Sequence, residues 1–168
     1  MFSRLPEKRH RHVKQTDAEA YSNLAGSALG WLLMPTIQKI TIFLMFEGHA
    51  EEAMRFYTSL FPDSGIEEIT RVGPGSAGAE GTVERATFTL SGQPFMCIDS
   101  PVAHGFGFTP SMSLYVRCDS ADEIDRLYDA LRQEGQVLMP LDAYDFSPRF
   151  GWVSDRFGVS WQLTLAGD

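Results

Sequence analysis

The fold is decided by a thirteen-residue stretch and its echo. From Gly48 the chain reads Gly-His-Ala-Glu-Glu-Ala-Met-Arg-Phe-Tyr-Thr-Ser-Leu; from Asp119 it reads Asp-Ser-Ala-Asp-Glu-Ile-Asp-Arg-Leu-Tyr-Asp-Ala-Leu. An offset of about 71 positions lays Ala50 on Ala121, Glu52 on Glu123, Arg55 on Arg126, Tyr57 on Tyr128 and Leu60 on Leu131. Two amphipathic helices resemble each other in any case, so the flanks must decide whether a supersecondary unit is used twice.

The flanks repeat too. Ile37–Phe46 has the β-branched and aromatic content of a strand. A helix follows from His49, with Ala50, Ala53, Met54, Tyr57, Leu60 and Phe61 as its apolar stripe and Pro62-Asp63 as its stop. Ile66–Val72, Thr82–Leu90 and Pro94–Asp99 read as strands, the last two joined by a tight Ser91-Gly92-Gln93 turn. After the connector Ser100–Pro110 the order starts again. Ser111–Cys118 is a strand, and Ser120 with Glu123 spells a capping box. Ile124, Leu127, Tyr128 and Leu131 form the second stripe, and Gly135 closes that helix. Gln136–Leu141, Phe150–Ser154 and Val159–Leu165 are strands, with Asp142–Pro148 a loop. Strand, helix, three strands, twice: the expectation is an α+β fold of two tandem βαβββ modules, 36–100 and 110–166, in one domain spanning 35–168. Residues 1–34 read as an N-terminal extension, basic at first and then part helical, with Met34 as a natural second start.

Bulk composition narrows the function. The chain has 168 residues, 43% of them hydrophobic, and a formal charge of −8. That charge argues against a general nucleic-acid partner, which needs a basic face. No apolar run reaches the ~20 residues of a membrane-spanning helix. The basic Lys8–Lys14 before Leu24–Met34 imitates a secretion signal, but Asp17, Glu19 and the missing cleavage site speak against it. Cys97 and Cys118 sit apart among apolar residues and read as buried free thiols, which fits the cytoplasm.

Gly73-Pro74-Gly75-Ser76-Ala77-Gly78 spells the dinucleotide fingerprint, but a strand follows it where a helix would have to face the pyrophosphate. It is read as a hairpin loop. Ser113, Tyr115, Ser160 and Gln162 make a half-polar strand face, which is either a cavity lining or an ordinary solvated surface. His104, in the aromatic connector with Phe106 and Phe108, is either a loop histidine or a polar group at a pocket mouth.

Three strings then carry a resemblance: Glu51–Tyr57, Phe108–Val116 and the closing Asp155–Leu163. They resemble the PhnB-like branch of the vicinal oxygen chelate superfamily, relatives of glyoxalase I and the bleomycin-resistance proteins, over residues 36–166. The resemblance implies two βαβββ modules that curl into a cup around a small molecule, usually in a homodimer. It also implies four positions that hold a divalent ion in metal-binding members, and these map to Ile42, Met96, Ser113 and Gln162. Isoleucine and a thioether do not ligate a hard cation, and a neutral amide and hydroxyl bind it weakly. No metal and no cofactor are therefore expected. Some PhnB-like sequences bear a demethylubiquinone methyltransferase label, which nothing in these residues supports.

The sequence thus points to a metal-free, glyoxalase-like binder of a small, partly apolar molecule. The expected lining is Ile42, Met96, Ser113, Tyr115, Trp152 and Gln162, with His104 and Phe108 near the mouth. The alternative is a metal-dependent lyase, isomerase or dioxygenase with a site rearranged around Asp99 or His104. His104 is the one candidate base for a metal-free enzyme.

Overall fold

The computed structural model describes residues 39–167. All the described helices and strands lie in one unit, 40–168. The N-terminal extension, the Met34 start and the first residues of the Ile37–Phe46 strand fall outside the described residues.

The elements are β1 (Ile42–Phe46), α1 (Ala50–Leu60), β2 (Gly65–Arg71), β3 (Val83–Leu90), β4 (Gln93–Asp99), β5 (Leu114–Cys118), α2 (Ala121–Leu131), β6 (Gln136–Tyr144), β7 (Ser147–Ser154) and β8 (Ser160–Leu165). They form two mixed four-stranded sheets, ordered β1-β4-β3-β2 and β5-β8-β7-β6. In each module the first strand runs parallel to the last and sits at a free edge. The α+β repeat of two βαβββ modules is therefore the architecture of the protein.

Helix α1 buries Ala50, Ala53, Met54 and Tyr57; α2 buries Ile124, Leu127, Tyr128 and Leu131. These stripes meet the helix-facing sides of the sheets (Leu44, Phe46, Phe88, Phe95 and Cys97 in the first; Val153, Trp161 and Leu163 in the second) in one continuous apolar cluster. Phe61 stacks on Trp161 at 5.7 Å between ring centroids, so α1 is gripped by both modules.

The local chemistry of the ends departs from expectation in three places. The loop expected over Asp142–Pro148 is mostly strand, because β6 runs to Tyr144 and β7 starts at Ser147. Pro140 is tolerated because β6 is an edge strand, where a missing N–H costs no ladder bond. Gly135 does not supply the left-handed residue after α2; Glu134 does, at φ 57°. Gly135 is needed for space, since a Cβ there would sit 2.3 Å from the Ser154 carbonyl oxygen. The capping box is also shifted. Ser120 Oγ accepts from Glu123 N at 3.2 Å, but the Glu123 carboxylate reaches one residue further back, to the Asp119 N–H at 2.8 Å.

Candidate functional site

Each sheet has a helix-covered face and an open face. Alternation along a strand sends neighbouring side chains to opposite faces, and cross-strand register fixes which residues share a row. On the open face of the second sheet Tyr115, Gln162, Trp152 and Met139 form one transverse row. The matching row of the first sheet is Phe43, Met96, Thr87 and Glu68.

This register corrects the mapping of one metal position to Ile42, although Ile42 does line a hollow together with Ser113 and Tyr115. Ile42 pairs with Phe95 and packs against the buried cluster, on the opposite face from Met96. The cause is a single extra residue. Three residues, Glu47–His49, join β1 to α1, whereas two, Asp119 and Ser120, join β5 to α2. The helices repeat at 71, but the first strands repeat at 72, as Phe43 beside Met96 and Tyr115 beside Gln162 show. A one-residue slip moves a strand's whole side-chain set to the other face. The counterpart of Ser113 is Thr41, not Ile42.

The second sheet's open face carries a hydrogen-bonded cluster. The Trp152 indole N–H donates to Ser160 Oγ at 2.8 Å; Ser160 and Ser113 share a hydroxyl bond of 2.7 Å; Gln162 Nε2 donates to Ser113 Oγ at 3.1 Å. Ser113, Trp152 and Gln162 are half-buried, Ser160 is buried and Tyr115 is 62% exposed. Ser160 was legible in the half-polar pattern as part of this face; its bond to Trp152 was not, because a tertiary contact between β7 and β8 makes it.

His104 lies elsewhere, and Phe108 lies between its hollow and the cluster. His104 Nε2 is 2.8 Å from Ser100 Oγ, and its backbone N–H donates to Glu47 Oε1 at 2.8 Å. It faces a separate hollow of about 260 Å³, with His49, Phe106, Arg156 and Phe157. Phe108 packs on Phe46 at 5.2 Å and touches both this hollow and a smaller one beside Ser113 and Ser160. Nothing brings His104 to Gln162. A hollow of about 590 Å³ follows the free edge of β5 from Ser113 to Arg117 and is walled by Ile42, Phe61, Phe95 and Trp161.

Two aspartates outside the open faces also bear on the chemistry. Asp99 is buried and spends Oδ1 on the N–H groups of Gly48 and Ala50 and Oδ2 on that of Val83. Asp155, at the β7–β8 turn, accepts from Tyr57 Oη and the Trp161 indole on Oδ2, and from Phe157 N and Val159 N on Oδ1. Burial pushes the Asp155 carboxyl above the ordinary range, against the pull of those four donors. Burial also pushes the Tyr57 phenol well up, with the Asp155 charge adding to it. These carboxylates hold structure together and are not free to ligate.

The donor set does not fit the superfamily's metal. Thr41, Met96, Ser113 and Gln162 offer no imidazole or carboxylate. Among the described residues, no group of three or more His, Cys, Asp or Glu side chains is placed to hold an ion. Gly73–Gly78 forms a loop from β2 into β3, so no helix N-terminus faces it.

Paired βαβββ modules with parallel first and last strands define a glyoxalase-like fold of the vicinal oxygen chelate superfamily. The family model described as 3-demethylubiquinone-9 3-methyltransferase matches residues 38–164, and the chain belongs to that family, the PhnB-like branch. Among solved structures, the PhnB protein of Bacillus cereus is 63% identical, with a TM-score of 0.76 over 77% of this chain and 100% of that one. Protein PA1353 of Pseudomonas aeruginosa is 28% identical, with a TM-score of 0.68 over 78% and 99%. The fosfomycin resistance protein FosX of Listeria monocytogenes, solved with Mn(II) and sulfate, shares the fold at 7% identity and a TM-score of 0.51, over 78% and 91%. No curated protein matches the chain.

Proposed function

We propose that this protein binds a small, partly apolar molecule on its open sheet faces, without a metal ion and as a homodimer. The observation that carries the reading is the Trp152–Ser160–Ser113–Gln162 cluster. At the two positions of this sheet where metal-binding relatives are expected to place ligands, Ser113 and Gln162 are neutral and bonded to each other. A half-buried polar cluster beside two aromatic side chains has the character of a small-molecule wall, apolar with a few placed polar groups. Met96 and Phe43 would supply the apolar wall.

The second copy is supported by where apolar surface is exposed. Ile40, Phe43, Met112 and Tyr115 are all more than half exposed, and all lie on or beside β1 and β5. Those strands are the free edges of the two sheets, and an exposed apolar edge invites pairing. A two-fold axis setting β1 of one copy against β5 of another would cover both edges twice. Buried free thiols, both pushed up to about 12 by burial, fit a reducing compartment and the cytoplasm. Among the described residues no helix is long and apolar enough to cross a membrane.

The test is thermal denaturation against a broad small-molecule panel, with and without chelator, beside elemental analysis of the purified protein. A hit should raise Tm equally in both conditions, and Gln162→Leu should abolish the shift. Stoichiometric Mn, Fe, Ni or Zn with chelator-sensitive turnover would establish the rival lyase, isomerase or dioxygenase. A panel without hits would remove the binding reading.

A further inference from the structure

We infer that the molecule read by the second sheet is neutral and flat and presents a carboxamide-type edge, an N–H beside a C=O. The inference rests on the proposed binding face and specifies its ligand. The argument starts from the direction of the hydrogen bonds. An indole N–H can only donate, so Trp152 fixes Ser160 Oγ as an acceptor. Ser113 Oγ, whose own proton points to the Pro110 carbonyl, must accept across the 2.7 Å contact, so the one proton of Ser160 goes to it. Ser113 also accepts from Gln162 Nε2, and its own hydroxyl turns back toward the Pro110 carbonyl at 3.4 Å.

Every hydroxyl proton in the cluster thereby has a partner within the protein. What remains on the open side is the second Nε2 hydrogen of Gln162 and its Oε1. A carboxamide with one spare donor and one spare acceptor is matched by another carboxamide, which answers both in one plane. No ionised group stands in the row Tyr115–Gln162–Trp152–Met139. With neighbouring strands ~4.8 Å apart, Tyr115 and Trp152 flank the Gln162 amide at a separation of about 10 Å, leaving room for a flat ring standing between them. The Trp152 bond to Ser160 pins its indole, so this flank is preorganised and little rotamer entropy is lost on binding. Arg117 lies two residues along β5 from Tyr115 and makes an anion the competing ligand to exclude.

The full-length protein should be titrated with benzamide, benzoate and acetophenone, followed by 1H–15N correlation spectra. The readouts are the Trp152 indole, assigned with Trp152→Phe, and the Gln162 side-chain amide. Benzamide should bind at least about tenfold more tightly than acetophenone or benzoate, because a site built to hydrogen-bond rejects an analogue that leaves its groups unpaired. Gln162→Leu, checked for native spectral dispersion, should level benzamide with acetophenone. The wild-type comparison stands alone should that variant not fold. Equal binding of benzamide and acetophenone, or tightest binding of benzoate, would overturn the carboxamide inference and leave the binding face intact. Failure of all three to move either resonance would overturn both.

Discussion

Tyr57 and Tyr128 occupy the same place in the two modules, yet they work in opposite directions. Tyr128 lies flat on its own sheet; a Cβ on Gly151 would meet its ring at 2.7 Å. Tyr57 leaves its sheet, crosses to the other module and donates to Asp155 at 2.7 Å. The sheet position that corresponds to Gly151 in the first module is Ala86, which is buried and carries its Cβ there. One module keeps its tyrosine and therefore needs a glycine; the other lends its tyrosine out and does not.

The helix starts differ in the same spirit. Ser120 and Glu123 cap α2 from within its own first turn, whereas His49 makes no side-chain cap on α1. Asp99, at the end of β4, supplies the missing acceptor to Gly48 and Ala50. The matching position on β8 is Leu165. Duplication preserved the requirement that orphan N–H groups be satisfied and left each module to meet it by its own route.

Breaking the seam should have the largest effect. Asp155→Ala strands a phenol, an indole and two backbone donors in the interior and should cost about 3 kcal/mol or more in chemical denaturation, each unsatisfied group costing ~1–3. A Tm within a degree of wild type would mean that the modules do not depend on this seam. Next come the caps as a matched pair. Asp99→Ala removes the partner of three N–H groups, two of them buried, and should cost about 2–4 kcal/mol, while Ser120→Ala should cost about 1. Equal losses would refute the contrast between a tertiary and a local cap. Gly151→Ala should cost about 1–3 kcal/mol by overpacking against Tyr128, and adding Tyr128→Leu should recover part of that; full additivity of the two changes would sink the steric account.

The smallest effect is electrostatic. The Arg71 and Arg55 guanidiniums beside Glu51 hold its carboxyl down at about 2. A depressed carboxyl contributes stability that is present above its unfolded value and lost as pH falls toward the folded one. Because the pair is exposed, the loss between about pH 4.5 and 2 should stay under ~1 kcal/mol. Glu51→Gln measured at pH 7 should show a destabilisation of that size, which shrinks as pH falls toward 2.

Much of this was open to reading in the chain. The order of elements, the buried thiols, the hairpin character of Gly73–Gly78 and the polar pattern of Ser113, Tyr115, Ser160 and Gln162 follow from period, turn chemistry and composition, because those signals are local. The face on which Ile42 lies did not follow. The helix offset was carried across the Glu47–His49 connection, where one extra residue reverses a strand's sides without disturbing its apolar content. The polar, turn-like composition of Asp142–Pro148 hid the last three residues of β6, since only the pairing of Asp142 with Phe150 and of Tyr144 with Ser147 shows them to be strand.

By itself, then, the sequence determined the repeated module, because amphipathic period and capping are properties of neighbouring residues. Only the tertiary structure decided which side chains share an open face, that His104 stands apart from Gln162, and that Asp99 and Asp155 are consumed as acceptors. Register, sheet order and partners distant along the chain are set by packing. A hydrogen bond spanning 98 positions, like that of Tyr57 to Asp155, leaves no periodic trace in the chain.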